Sequence, residues 1–434
     1  MKPFHSITAA GIALIAGIPR AAHAELSVSN VRSAQRPGTK LVDIDYDLVS
    51  TEPFARITVE ISADGGAIYA VPAVTLTGAV GGAVRPGPNK RITWNAGTDW
   101  NGQVSQQVKF RVAAETAPPG LAIIPAGSFQ MGDNYAEGEI YERPVHNVYT
   151  SRFLISRYEI TTEQMRQVLQ WAYDHALISV NATTVTNLEG APQPFLSFTA
   201  NDGGRQATYL RFANGLFYVE ADKGNFPMGG VTWYGALAYC NYRSDIEGLT
   251  RSINFTNWTC DFSKSGYRLP TEAEWEKAAR GGMTGHHFPW ESSGGNYSQH
   301  IAGYMAKYNA TGDPWSYSYT AYYWSTPVGY FDGNQLNYGK LVGDDMVNGY
   351  SLYDMAGNVW EWCWDNWKAD WYAQAGAVQD GTTGPATPYP YYKVIRGGSY
   401  GYNASSLRVA YRHTRGYAPT YLNFPLGFRP VRRE

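Results

Sequence analysis

Between Leu41 and Leu48 the chain alternates without a break. Val42, Ile44 and Tyr46 fall on one side, and Asp43, Asp45 and Asp47 on the other. A period of two sends successive side chains to opposite faces of a strand, so this stretch has one face for a core and one for water. A helix would scatter the three carboxylates around its circumference. Ala55 to Ile61 alternates too, and Arg91 to Trp94 and Gln107 to Val112 follow as further strands. Asp64-Gly65-Gly66 and Pro86 to Asn89 read as turns. Short strands at this spacing predict a small all-β sandwich, of immunoglobulin or fibronectin III kind, over residues 25–116. No catalytic cluster falls within it, so its expected role is spacer, anchor or adhesion module. Ala117-Pro118-Pro119-Gly120 is the expected linker, residues 117–120.

With 434 residues the chain is too long for one ordinary domain. Residues 121–434 have a different grammar: long Gly/Tyr/Trp-rich stretches broken by a few helical signals. Thr161 to Trp171 has helical character, as does Thr232 to Ile246, where Ala236, Leu237, Tyr239 and Cys240 gather on one side. Thr271-Glu272-Ala273-Glu274 is a capping box after Pro270, opening a short helix to Arg280. Aromatic residues make up 15% and charged residues 17%, which argues against disorder. The net charge of -2 argues against a broad electrostatic grip on nucleic acid or on an anionic membrane.

Lys2, the apolar run Ile7 to Ile18 and the small-x-small site Ala22-His23-Ala24 predict a secretory signal peptide over residues 1–24. The run falls short of the ~20 residues needed to span a bilayer. The mature chain is therefore expected to be secreted, periplasmic or at the cell surface, and not membrane-spanning. It has three cysteines, Cys240, Cys260 and Cys363. The odd number leaves at least one thiol free or paired between chains.

Several segments of the second region together resemble the formylglycine-generating enzyme, or sulfatase-modifying factor, family. These are Ile124-Pro125-Ala126-Gly127-Ser128-Phe129-Gln130-Met131-Gly132, Tyr158-Glu159-Ile160-Thr161, and Gly266-Tyr267-Arg268-Leu269-Pro270-Thr271-Glu272-Ala273-Glu274-Trp275-Glu276. Tyr353-Asp354-Met355-Ala356-Gly357-Asn358-Val359-Trp360-Glu361-Trp362, Arg396-Gly397-Gly398-Ser399 and Gly427-Phe428-Arg429 complete the set. The resemblance implies an α+β, C-type-lectin-like domain behind the all-β sandwich: little regular structure, two or more helices, small sheets and much loop.

It also bears on chemistry. The oxidising members convert a cysteine in a C-x-P-x-R segment of a sulfatase to formylglycine, and hold copper(I) with two cysteines five apart after the Gly-Gly-Ser motif. Soft thiolates suit that ion. Here Tyr402 and Leu407 stand at those places, and no cysteine follows Cys363. The copper site, and with it the oxidase reading, is not expected. An iron-dependent branch with a His-rich upstream domain is disfavoured too, since no His lies between Glu25 and His146. The resemblance further implies a structural calcium, held by the side chains of Asp354 and Glu361 and the carbonyls of Gly357 and Val359. Carboxylates with backbone oxygens suit a hard cation. A tight turn whose acids cap the backbone explains the same residues. A second calcium would begin at Asn296 and Tyr297, but Thr320 stands where an Asp is expected.

Gly397-Gly398-Ser399-Tyr400-Gly401 matches a nucleophile elbow, but Glu434 is the only acid after Ser399, so the motif's own turn accounts for it. Asp133 to Gly138 reads as a surface loop and His146 as a hydrogen-bonded structural residue. His286-His287 lacks a neighbour to complete a metal set.

Residues 399–424 carry Tyr400, Tyr402, Asn403, Ser405, Tyr411, His413, Arg415, Tyr417, Tyr421 and Asn423. Tyr, Ser, Gly and Asn are the residues of an antibody paratope, where Tyr supplies rigid contact area. These side chains are the candidate contacts for a protein or glycan ligand. The window contains no Gln, Glu, Lys, Met or Trp. Retroelement-driven mutagenesis of adenines in AAY codons leaves that signature; so does a loop-rich lid that lacks the five by chance. Three functions remain open: an exported binding protein, a sulfatase-maturing or other oxidase with different ligands, and an envelope scaffold.

Overall fold

The computed structural model describes residues 25–199, 201–202, 205–206, 208–290, 300–309, 325–337, 340–341, 343–378, 392–422 and 425–434. The expected signal peptide lies outside them, as do Asn296, Tyr297, Thr320 and Asn423.

The first region is a sandwich of two antiparallel sheets. Its strands are β1 Leu26–Gln35, β2 Leu41–Ser50, β3 Ala55–Ser62, β4 Leu76–Gly78, β5 Gly81–Val84, β6 Gly87–Asn95 and β7 Lys109–Glu115. One sheet has the order β1-β2-β6-β4 and the other β5-β3-β7. The alternation in β2 does what its period requires. Ile44, Tyr46 and Leu48 are buried against Ile57, Ile61, Ile92 and Trp94. The aspartates on the other face meet arginines instead: Asp45 lies opposite Arg91 and accepts its Nε at 2.8 Å, and Asp43 accepts the Arg36 Nε at 3.0 Å. Pro86 to Asn89 is not a turn. Gly87 already pairs with Leu48, and the Asn89 amide donates to the Asp47 carboxylate at 2.7 Å. The positive φ values of Gly87 (146°) and Asn89 (53°) accompany a register shift in the ladder, so the glycine and asparagine serve an irregular strand start rather than a chain reversal.

The linker is pinned, since Pro118 and Gly120 carbonyls accept the amides of Leu121 and Arg157. The sandwich also packs on the second region. Phe54 is buried beneath the Arg85 and Arg157 guanidinium groups, at 4.5 and 4.9 Å. Arg85 pairs with Asp345, and Glu115 accepts two bonds from Arg152.

In the second region β8 Leu121–Ile124, β9 Gly127–Met131, β10 His146–Thr150 and β11 Phe153–Ser156 come first. The strand Val431–Arg432 pairs with β11, which pairs with β8, so the two ends of the region close on one sheet. After a short helical turn, α1 (Ala96–Asp99), in the sandwich, three longer helices follow: α2 Thr162–Asp174, α3 Trp233–Ile246 and α4 Glu272–Arg280. Each starts where a threonine can cap it. Thr161, Thr232 and Thr271 accept from the amides of Gln164, Gly235 and Glu274. A three-stranded sheet is centred on Trp360–Asn366, flanked by Lys393–Arg396 and Leu426–Gly427. The whole is α+β, with few helices and many short strands.

Buried ion pairs tie these pieces together. Glu272 and Glu276 project from α4 into the interior, where Glu276 pairs with Arg280 and Arg396, and Glu272 with Arg412. Glu361 pairs with Arg429, and Arg268 with Glu274. Each charge is desolvated, so each needs its partner and its remaining hydrogen bonds. The segments singled out in the sequence are largely the carriers of this skeleton.

Candidate functional site

The skeleton shapes the C-terminal loop. The Arg396 guanidinium donates to three carbonyls in a row: Val409 at 2.9 Å, Ala410 at 3.2 Å and Tyr411 at 2.7 Å. Arg412 donates to both Glu272 oxygens (2.7 and 3.0 Å) and to the Tyr141 carbonyl at 2.9 Å. With these residues clamped inward, the side chains between and after them turn to one aromatic cluster. Farther on, Tyr417 and Lys393 exchange both backbone hydrogen bonds. Gly416 permits this approach: its φ is +63° and a Cβ would lie 2.2 Å from the Lys393 carbonyl oxygen.

Trp360, buried in the central strand, is the floor. Tyr402 meets it edge-on at 5.1 Å, His413 edge-on at 5.3 Å, and Tyr411 at 5.9 Å. His413 packs on Tyr417 at 4.9 Å, and Tyr417 stacks on Tyr421 at 4.2 Å. The Tyr402 and Tyr417 hydroxyls are hydrogen-bonded. The four tyrosines are half-buried, so each combines a fixed inner edge with an exposed one. Burial, and then the charge of Arg415, push His413 down to about 4. Its imidazole is therefore neutral at physiological pH, and Arg415, exposed two residues on, is the one charged candidate.

The structure thus joins Tyr402, Tyr411, His413, Tyr417 and Tyr421. Asn403 and Arg415 are exposed and Ser405 is half-buried, and none of them shares the ring contacts. Tyr400 is a correction: it is 4% exposed, and its amide is bonded to the Asn358 carbonyl. It is a core residue and presents no surface to a ligand. Ser399 is fully buried, which removes the nucleophile elbow. Asp133 closes its own loop by accepting from the Tyr135 and Gly138 amides, and His146 is bonded to the Pro144 carbonyl, both as expected.

A neighbour the sequence did not reveal is Lys393. Its ammonium lies 4.0 Å from the centre of Trp233 and 5.4 Å from that of Trp364, and burial pushes it down to about 8. The Trp233 amide is bonded to the Pro419 carbonyl, so this aromatic box adjoins the loop that carries Tyr417 and Tyr421. The sequence held no signal for it, because Lys393 and Trp233 are far apart along the chain.

The metal expectations divide. Leu407 is fully buried among Phe288, Ala306 and Ala356, away from the Trp360 cluster that holds Tyr402. Neither offers a soft ligand, and burial raises the pKa of all three cysteines, Cys260 to about 12. The residues do not fit copper(I). For calcium, Asp354 is a half-buried residue whose carboxyl is pushed up to about 6, chiefly by desolvation, and it accepts the Gly329 amide at 2.6 Å. Glu361 does not fit. Both its oxygens already accept two donors each, from Arg429 and, for one of them, the Trp275 indole. Asp354, Gly357, Val359 and Glu361 lie along one bend and the strand it leads into, with Glu361 held by Arg429 and Asp354 by the Gly329 amide. Among the described residues no group of three or more His, Cys, Asp or Glu side chains could hold a metal ion.

The sulfatase-modifying factor enzyme 1-like domain matches residues 106–434. The chain belongs to that family. A formylglycine-generating enzyme of Thermomonospora curvata is 30% identical over 296 residues, 65% of this chain and 82% of that protein. An inactive C-alpha-formylglycine-generating enzyme 2 of Bos taurus is 25% identical over 262 residues, 57% of this chain and 70% of that one. The solved structure of Treponema denticola variable protein 1 is 25% identical, covering 72% of this chain and 95% of its own, with a TM-score of 0.45. Family membership gives the second region its fold, the formylglycine-generating-enzyme-like variant of the C-type-lectin-like fold. Among the described residues no helix is long and apolar enough to cross a membrane.

Proposed function

We propose that this chain is a non-catalytic member of its family, exported from the cell, that holds a protein or glycan ligand on the face built by Tyr402, Tyr411, Tyr417 and Tyr421 around the buried His413. One observation carries the reading. Where the resemblance puts two copper thiolates, this chain has a tyrosine packed on Trp360 and a leucine sealed in an apolar cluster. A neutral aromatic surface stands in place of a redox centre. Tyrosine gives such a surface large contact area for the loss of two side-chain torsions, which is why paratopes favour it. The Bos taurus relative, inactive by name, supports the view that the fold persists without the chemistry. The Thermomonospora curvata relative favours the second reading, a sulfatase-maturing oxidase, which would require metal ligands other than the thiolate pair. A scaffold role in a cell envelope is the third.

The test is a binding screen of the full chain against a glycan array and a panel of extracellular proteins, repeated with Tyr417→Ala and Tyr421→Ala. Removing a central aromatic anchor costs about 2 kcal/mol or more, roughly 30-fold in Kd. Loss on that scale, with the melting temperature retained, supports the face, and the panel that scores separates glycan from protein. Ligands that bind both variants as tightly as the parent refute it.

A further inference from the structure

The sandwich has no part in the function proposed above, yet one end of it is open. β1 is an edge of one sheet and β7 an edge of the other. Between them, closed below by β6 and α1, lies a groove of about 480 Å³. Its aromatic wall is the half-buried Trp100 and Phe110, backed by Trp94, which is itself 1% exposed and has their ring centres at 6.4 and 6.1 Å. Trp94 is fixed, since its indole donates to Asp99 at 3.0 Å and the same carboxylate accepts the Val74 and Thr75 amides. Trp100 caps the end of α1 and is half-buried, so it is held at one edge and open at another.

The polar lining is Gln35, Lys40, Gln103 and Ser105. Among the described residues no acidic side chain lines the groove, and its one cation, the exposed Lys40, donates to the neutral Asn101 side-chain oxygen at 2.6 Å. Gln103 is exposed. Val104, 87% exposed, and Gly102, with open space where a Cβ would be, form a lip on the loop between α1 and β7.

We propose that this groove binds a neutral oligosaccharide, as a second site independent of the C-terminal face. A pyranose has an apolar face of C–H bonds and a belt of hydroxyls. The first suits an aromatic wall and the second amide and hydroxyl side chains. The volume falls within the roughly 300–1,000 Å³ of small-molecule sites. An anionic ligand would call for more than one rim cation, a calcium-bridged sugar for carboxylates, and a purely apolar ligand for a lining without two glutamines and a lysine.

The experiment screens the full chain on an array of neutral oligosaccharides, then titrates cellobiose, maltose and N,N′-diacetylchitobiose calorimetrically, following tryptophan fluorescence. The expected result is binding by at least one array sugar, insensitive to salt, weakened roughly tenfold or more by Trp100→Ala. Gln103→Ala changes an exposed side chain, keeps the fold and should weaken the same sugar. Tyr421→Ala should leave it unchanged. No binding across the array, or binding that survives both groove substitutions, overturns the proposal. Loss through Tyr421→Ala alone overturns it too, by moving the sugar to the C-terminal face.

Discussion

Replacing Arg396 with methionine tests whether the buried ion pairs hold the aromatic face in place. Arg396 is fully buried, pairs with Glu276 and satisfies the carbonyls of Val409, Ala410 and Tyr411. Methionine fills much of the space but donates nothing. Breaking a buried pair by removing one partner costs about 3–5 kcal/mol. Glu276 keeps Arg280, which lowers that part, but three carbonyls lose a donor at about 1 kcal/mol or more each. The net expectation is about 4 kcal/mol. At about 2–4 °C per kcal/mol for a domain of 150–250 residues, and at the low end for this larger one, Tm should fall by roughly 8 °C. Calorimetry reads the shift, and hydrogen exchange reads its place, with faster exchange concentrated in residues 409–417. A fall of less than about 3 °C, with exchange in that loop unchanged, would refute the claim that Arg396 organises it.

His413, in the folded state, takes up a proton only near 4, whereas the unfolded chain does so near 6.5. Stability should be complete above 6.5 and fall as the pH drops toward 4, by on the order of 3 kcal/mol from this group. His413→Phe should flatten that limb of the denaturation profile, and an unaltered limb would count against the burial argument. Gly416→Ala forces a Cβ against the Lys393 carbonyl at positive φ, for an expected loss of about 1–3 kcal/mol; a chemical-denaturation midpoint equal to the parent's would contradict the close approach. Calcium added after chelation should leave Tm where it was, because Arg429 already neutralises Glu361. A calcium-dependent rise of several degrees would show the ion reaching Asp354.

Local signals in the sequence were read well where one segment decides its own structure. The alternation of β2 and the Thr271 capping box are of this kind, because period and cap act within a few residues. Pro86 to Asn89 misled because glycine and asparagine mark positive φ, and a strand irregularity needs that as much as a turn does. The long-range pairs of the skeleton were invisible in kind: Glu272 and Arg412 are 140 residues apart, and nothing local reports their meeting. The candidate face was legible as a composition but not residue by residue. Tyr400 and Tyr402 look alike in a loop without a period, yet one bonds to Asn358 and turns inward while the other lies on Trp360. The partner of Glu361 was hidden for a related reason, because Arg429 is 68 residues farther along.

The central claim is that this member of the family has exchanged its redox centre for a binding face. The most direct measurement is turnover. The full chain, supplied with copper(I) and oxygen, is incubated with a C-x-P-x-R peptide and the peptide is weighed by mass spectrometry. The account predicts an unmodified cysteine at every time and copper concentration. Copper-dependent formation of formylglycine would contradict it.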